Sequence, residues 1–226
     1  MRNFTIIFFL PMLFLANCTT FNTSVNSISL EDDFSGINVF IGPGNENVNI
    51  NDIQFREYAK KLSILLSSKN FNVVDDLNIA DQVILLTYGV SAPISQTASI
   101  PQFGKTGIAS STTYGTINTY NKNQSTYTGT TTNNYNYGIT GVANINYVVY
   151  TSFLIITAYD YKVFLKSNSS VQMWQTEVTS TSNNNDLRVI FPYLLLASEK
   201  YVAKNTNKII KESVNSNDSR LKKYYE

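Results

Sequence analysis

Apolar residues recur along this chain at two spacings, and each spacing predicts its own kind of element. Ile37, Val39 and Ile41 alternate with Asn38 and Phe40 and stop at Gly42-Pro43-Gly44, which predicts a short strand closed by turn residues. Phe55, Tyr58, Ala59, Leu62, Leu65 and Leu66 then fall three and four apart, on one stripe of an amphipathic helix whose role is core packing. Asn51, with Gln54 three residues on, is the expected N-cap, and Asn70 suits the left-handed position past the C-terminus. Phe71 to Val74 can form a brief extended piece, and the nearly continuous apolar run within Ile79–Val90 predicts a strand buried on both faces. Tyr147–Tyr161 and Val171–Ser180 are rich in β-branched and aromatic residues and predict antiparallel neighbours joined through 162–170. Asn183 to Asp186 supply helix-start chemistry for a stripe made by Leu187, Ile190, Phe191, Leu194, Leu195, Tyr201 and Val202. Pro192 falls inside that stripe, so it either kinks one helix or marks where the helix begins. These elements predict one domain over 37–214, and the tail over 215–226 has little to bury and is expected to be flexible.

One long segment obeys neither pattern. From Ser110 to Asn146 the chain is dominated by Thr, Tyr, Asn, Ser and Gly, and Lys122 is the one charged residue between Lys105 and Asp160. Tyr114 and Tyr120 share one parity, as do Tyr127, Tyr135 and Tyr137, with Asn121 to Gln124 between them as a turn. The segment over 110–146 therefore reads as a polar, Tyr-rich β-hairpin or a permissive surface loop. Few aliphatic residues accompany the tyrosines, so such arms need mutual pairing, a partner, or disorder. Long uncharged edges invite pairing with another chain, which makes self-association a serious expectation. Tyrosine faces beside Asn and Thr hydrogen-bonding groups also suit a glycan, peptidoglycan or lipopolysaccharide, as an alternative use of the same surface.

The N-terminus adds an address. Arg2 precedes an apolar run from Phe4 to Ala16, of signal-peptide length and too short to span a membrane. Leu15-Ala16-Asn17-Cys18 resembles the lipobox of bacterial lipoproteins, with Asn17 in place of the usual small residue. The resemblance implies cleavage between Asn17 and Cys18 after a signal peptide over 1–17, and a palmitate-type diacylglyceryl anchor on Cys18. The segment over 18–36, polar and aperiodic, then reads as a lipidated flexible tether. Thr19 stands where an aspartate would retain the protein in the inner membrane, which implies, in a Gram-negative cell, sorting to the outer membrane facing the periplasm, and in a Gram-positive cell the outer face of the plasma membrane.

Composition narrows the chemistry. Lys and Arg total 17 against 16 Asp and Glu, which leaves no basic footprint for nucleic acid. The chain has no histidine, and Cys18 is its one cysteine, so no zinc site, imidazole base or thiolate nucleophile is available and no cofactor is expected. Asp75, Asp76 and Asp81 are the densest acids of the domain, yet a turn and a strand entrance explain them better than a glycosidase pair.

Ala80-Asp81 leading into Gln82–Gly89, Asp160 at a strand end, Trp174, and Asp186-Leu187 followed by Phe191-Pro192 resemble a family of uncharacterised bacterial lipoprotein domains. That resemblance implies an α+β fold, a largely antiparallel sheet with two main helices packed on one face, here with the Tyr/Thr/Asn-rich hairpin inserted, and an envelope location. It implies no catalytic residue. The expectation is a non-enzymatic, membrane-anchored lipoprotein acting through protein contact or self-association; glycan binding is the alternative, and a carboxylate-based carbohydrate hydrolase comes third.

Overall fold

The computed structural model describes residues 20–31, 34–121 and 124–225. Asn17 and Cys18 lie outside the described residues. The strands are β1 (Thr20–Ser29), β2 (Asn38–Pro43), β3 (Asn72–Val73), β4 (Gln82–Val90), β5 (Ile94–Asn121), β6 (Gln124–Asp160), β7 (Gln172–Ser182) and β8 (Ile210–Asn215). The helices are α1 (Ile53–Ser67), α2 (Tyr161–Ser167) and α3 (Leu187–Ser198), with 3-10 turns at Leu77–Ile79 and Ser219–Tyr224.

Seven strands follow the order β3-β2-β4-β6-β7-β1-β8, and β5 pairs with β6. β2 runs parallel to both β3 and β4, because α1 carries the chain across the sheet between them; the other pairings are antiparallel. The expected α+β fold with a largely antiparallel sheet is therefore corrected: the protein is mostly β, 54% strand and 22% helical, built on one mixed eight-stranded sheet with few helices. The excess of strand comes from the polar segments, where strand geometry is held by pairing and not by burial.

Chain division follows two compact units, Pro93–Val149 and the remainder. In the larger unit, cross-strand partners bury one face of the sheet. Ile84, Leu86 and Tyr88 of β4 lie opposite Ala158, Ile156 and Leu154 of β6, which lie opposite Trp174, Thr176 and Val178 of β7; all are buried. Phe55, Tyr58, Leu62, Leu65 and Leu66 of α1 and nearly all of α3 join them in one core. Tyr58 stacks on Phe191 at 4.1 Å and meets Tyr88 edge-on at 4.8 Å, tying α1, α3 and β4 together through offset and T-shaped ring contacts. α3 runs unbroken through Pro192; lacking an amide proton, Pro192 leaves the Arg188 carbonyl without its helical donor.

Three other expectations change. The segment expected as a tether contains β1, an interior strand between β7 and β8. Its inward positions are Thr23, Val25 and Ser27, so two hydroxyls occupy places where an apolar alternation would have been visible. They are accommodated because each finds a partner: Thr23 Oγ1 donates to the Glu212 carbonyl at 3.2 Å, and Ser27 Oγ meets Thr176 Oγ1 at 2.7 Å. The tail expected to be flexible carries the second 3-10 turn, anchored by buried Leu221 and Tyr224. The N-cap of α1 is Asp52, whose carboxylate accepts from the Gln54 and Phe55 amides, and not Asn51. Asn70 takes the left-handed conformation expected of it, at φ 65°.

Candidate functional site

The unit from Pro93 to Val149 is a two-stranded antiparallel ribbon. Its arms pair from Ile94↔Val149 outward to Asn121↔Gln124, so the ribbon runs well beyond 110–146 on the near side; the residues of the expected turn between Asn121 and Gln124 lie outside the described residues. Register shifts fall at Gln102/Phe103, Lys105/Gly107, Ile108/Ser110 and Thr119/Asn121, where one strand has an extra residue. At roughly 3.3 Å per residue, arms of this length reach on the order of 80–90 Å. Among the described residues, neither arm has any other strand partner, so both outer edges carry unpaired N–H and C=O groups.

Because pairing has no core beneath it, side chains across the ladder hold the arms. Thr97 donates to Asn146 at 2.8 Å, Ser99 to Asn144 at 2.8 Å and Ser111 to Asn133 at 2.6 Å, and Thr113 meets Thr131 at 2.8 Å. Each cross-strand pair of this kind contributes a few tenths to about 1 kcal/mol. Gly115 and Gly129 face one another, and the Tyr127 ring lies over both: a Cβ added at Gly115 would fall 2.3 Å from that ring, so the glycines are there to let it lie flat across the ribbon.

The five tyrosines singled out from sequence are all in this ribbon and all at the surface, but they do not form one platform. Tyr127, Tyr135 and Tyr137 share a face because their arm runs without an extra residue between them, whereas Tyr114 pairs with Thr130 and so lies on the opposite face. Tyr120 stands at the shift between Thr119 and Asn121. Two rings are already engaged: Tyr127 covers the glycines, and the Lys105 ammonium sits 3.9 Å above the centre of Tyr135. A sugar-stacking surface of five parallel rings is therefore absent from the described residues.

Most of the described aspartates hold local structure. Asp52, Asp76, Asp160, Asp186 and Asp218 each accept from a backbone amide at the start of a helix or 3-10 turn, the N-cap role. Asp81 binds the Asn38 amide at 2.8 Å and pairs with Lys162. The Lys162 hydrogen bond, and then that amide, hold its carboxyl below the usual range. Glu57 and Asp186 line one open hollow of about 540 Å³ together with Lys61, Arg188 and Lys223. Lys61 at 2.8 Å and Arg188 at 2.9 Å pair with Glu57 and lower its pKa, opposite to what a glycosidase general acid requires. Asp186 is committed to capping α3 through the Arg188 amide at 2.9 Å.

No family model and no curated protein matches the chain. Among solved structures, the chain is similar to a PDZ domain protein from Parabacteroides distasonis, with 16% identity and a TM-score of 0.38 over 87% of this chain. The chain spans 39% of the length of that protein. At that level neither a fold nor an activity transfers.

Proposed function

We propose that this protein is a bacterial envelope lipoprotein, anchored by lipid on Cys18, whose working part is the β-ribbon and whose partners are further copies of the same chain. The observation that carries the reading is the pair of unpaired backbone edges on long, nearly uncharged arms. Protein strands that must stay single carry lysine, proline, bulges or inward charges along an exposed edge. Within the ribbon's described arms Lys105 is the one charged side chain and Pro101 the one proline, so between the four bulges the edges lack those safeguards.

The anchor fits this use. Only Thr19 separates Cys18 from the first residue of β1, so a lipid on Cys18 would hold the sheet directly at a membrane surface and crowd copies in two dimensions. Confinement of that kind raises the effective concentration of one edge near another, which favours pairing that would be weak in free solution.

Sedimentation of the full-length chain extracted in detergent tests the reading. The intact protein is expected to run as an oligomer, and a variant in which Asn-Gly replaces Pro93–Val149 as a monomer. A monomeric intact protein, or an oligomer unchanged by the excision, refutes the ribbon as the assembly element. Labelled palmitate retained after Cys18→Ala would separately refute the anchor.

A further inference from the structure

The stretch of ribbon nearest its open end differs from the rest. Between Ile94 and Gln102 on one arm and Gly141 and Val149 on the other, the pairing has no irregularity, so the alternation of faces can be read directly. One face presents Ile94, Ala98 and Ile100 from the first arm and Ala143, Ile145, Tyr147 and Val149 from the second. The other presents Ser95, Thr97 and Ser99 opposite Val148, Asn146 and Asn144, and ends at Pro101 and Val142. The Thr97–Asn146 and Ser99–Asn144 hydrogen bonds lie on that second face and satisfy its polar groups across the ladder. Gln96 and Gln102 are the polar side chains on the apolar face, and the Gln96 side-chain oxygen accepts from the Tyr147 hydroxyl at 2.8 Å.

Ile94 is 51%, Ile100 46% and Ile145 49% exposed, so the apolar face is uncovered along its length except at Val149, which is buried. Beyond this stretch, Phe103, Lys105, Tyr135 and Tyr137 follow within a few residues, after which the arms become Thr, Ser, Asn and Gly. The sequence contains no Asp or Glu between Asp81 and Asp160. About ten residues at a rise of 3.3 Å, tilted by roughly 45°, cover about 23 Å, which matches the ~25 Å apolar band of an outer-membrane barrel. A hydrophobic face of that height, backed by a polar one and bordered by aromatic rings and a lysine, is the pattern of a membrane-spanning strand pair.

We propose that the stretches Ile94–Phe103 and Ile139–Val149 are one two-stranded stave of a transmembrane β-barrel closed by copies of this chain, with Ile100 and Ile145 toward lipid and Thr97 and Asn146 toward a water-filled lumen. The inference rests on the self-association reading and deepens it. One hairpin cannot enter a bilayer alone, because its two outer edges would carry unsatisfied amides and carbonyls into hydrocarbon, where only helices and closed barrels are tolerated. Insertion and assembly are therefore one event. Each copy adds two strands, and the smallest single-walled barrels have about eight, so at least about four copies are required. Pro101, beside the register shift, removes at most one donor from an edge.

The test is conductance across planar bilayers of phosphatidylethanolamine and phosphatidylglycerol, with sedimentation of the same detergent-extracted full-length protein alongside. Discrete channel steps are expected from the intact chain. Ile100→Arg with Ile145→Arg, on the lipid face, is expected to reduce channel insertion by about tenfold or more. Thr97→Arg, on the opposite face beside the Ala98↔Ile145 pair and so close to Ile145 in depth, is expected to retain channels and shift their selectivity toward anions; it shows that an added arginine does not simply prevent the ribbon from forming. An intact protein that assembles yet conducts no ions overturns the barrel and leaves self-association standing. A monomeric intact protein removes both, and equal tolerance of arginine on the two faces overturns the assignment of faces.

Discussion

Ser27 and Thr176 join β1 to β7 across the core, 1% and 0% exposed, with their hydroxyl oxygens 2.7 Å apart. Ser27 Oγ also donates to the Gln175 carbonyl at 3.2 Å, which leaves Thr176 as the donor within the hydroxyl pair. The two hydroxyls are thus unequal. Ser27→Ala strands the buried Thr176 proton and should cost about 1–3 kcal/mol, the penalty for an unmet buried donor. Thr176→Val keeps the shape and leaves Ser27 bound to Gln175, so its cost is about 0.5–1.5 kcal/mol. With both replaced, the stranded donor is gone and the double variant should be no worse than Ser27→Ala alone, a coupling of about 1 kcal/mol. Trp174 makes the assay clean: it is the one tryptophan and is 1% exposed in the larger unit, so its fluorescence during urea unfolding reports that unit and not the ribbon. Equal losses from the two single variants, or additive losses in the double, would refute the donor assignment.

Replacing Pro93–Val149 by Asn-Gly should leave the Trp174-monitored urea midpoint as high as in the intact chain or higher, because no residue of the core cluster comes from the ribbon and loop-closure entropy favours the shorter connection by up to about 3 kcal/mol; a lowered midpoint would show that the ribbon supports the sheet. Asp52→Ala should cost about 1 kcal/mol by losing the cap of α1, while Asn51→Ala stays within about 0.5 kcal/mol, both read from the same unfolding curves. Asp81 has its folded-state pKa lowered by Lys162 and the Asn38 amide, so its stabilisation is complete above the unfolded value of about 4 and is lost as pH falls below it. Asp81→Asn should therefore trail the parent at pH 7 and match it near pH 2, and an undiminished gap in acid would refute the ion pair as its cause.

The sequence made α1 and β4 legible because their apolar periods are strong, and the β6–β7 pairing because two β-branched runs flank a short connection. The polar strands were harder to read. β1 hides its inward face behind Thr23 and Ser27, whose hydrogen bonds to Glu212 and Thr176 come from residues far away in sequence. The mixed sheet was also out of reach, since nothing local in β2 says whether its neighbour runs with it or against it. In the ribbon, alternation and uncharged composition were visible. The placement of Tyr114 opposite Tyr127, Tyr135 and Tyr137 was not, because each extra residue at a register shift changes which side chains share a face.

The position of β1 also sets the order in which the protein can fold. This first strand pairs only with β7 and β8, at partners as distant as Thr20↔Asn215. Among the described strands, β1 waits for β7 and then β8 before it gains either neighbour, and the contact order is correspondingly high. β1 therefore stays without a strand partner while β2, β4 and the β5–β6 ribbon, whose contacts are nearer in sequence, are made and can pair.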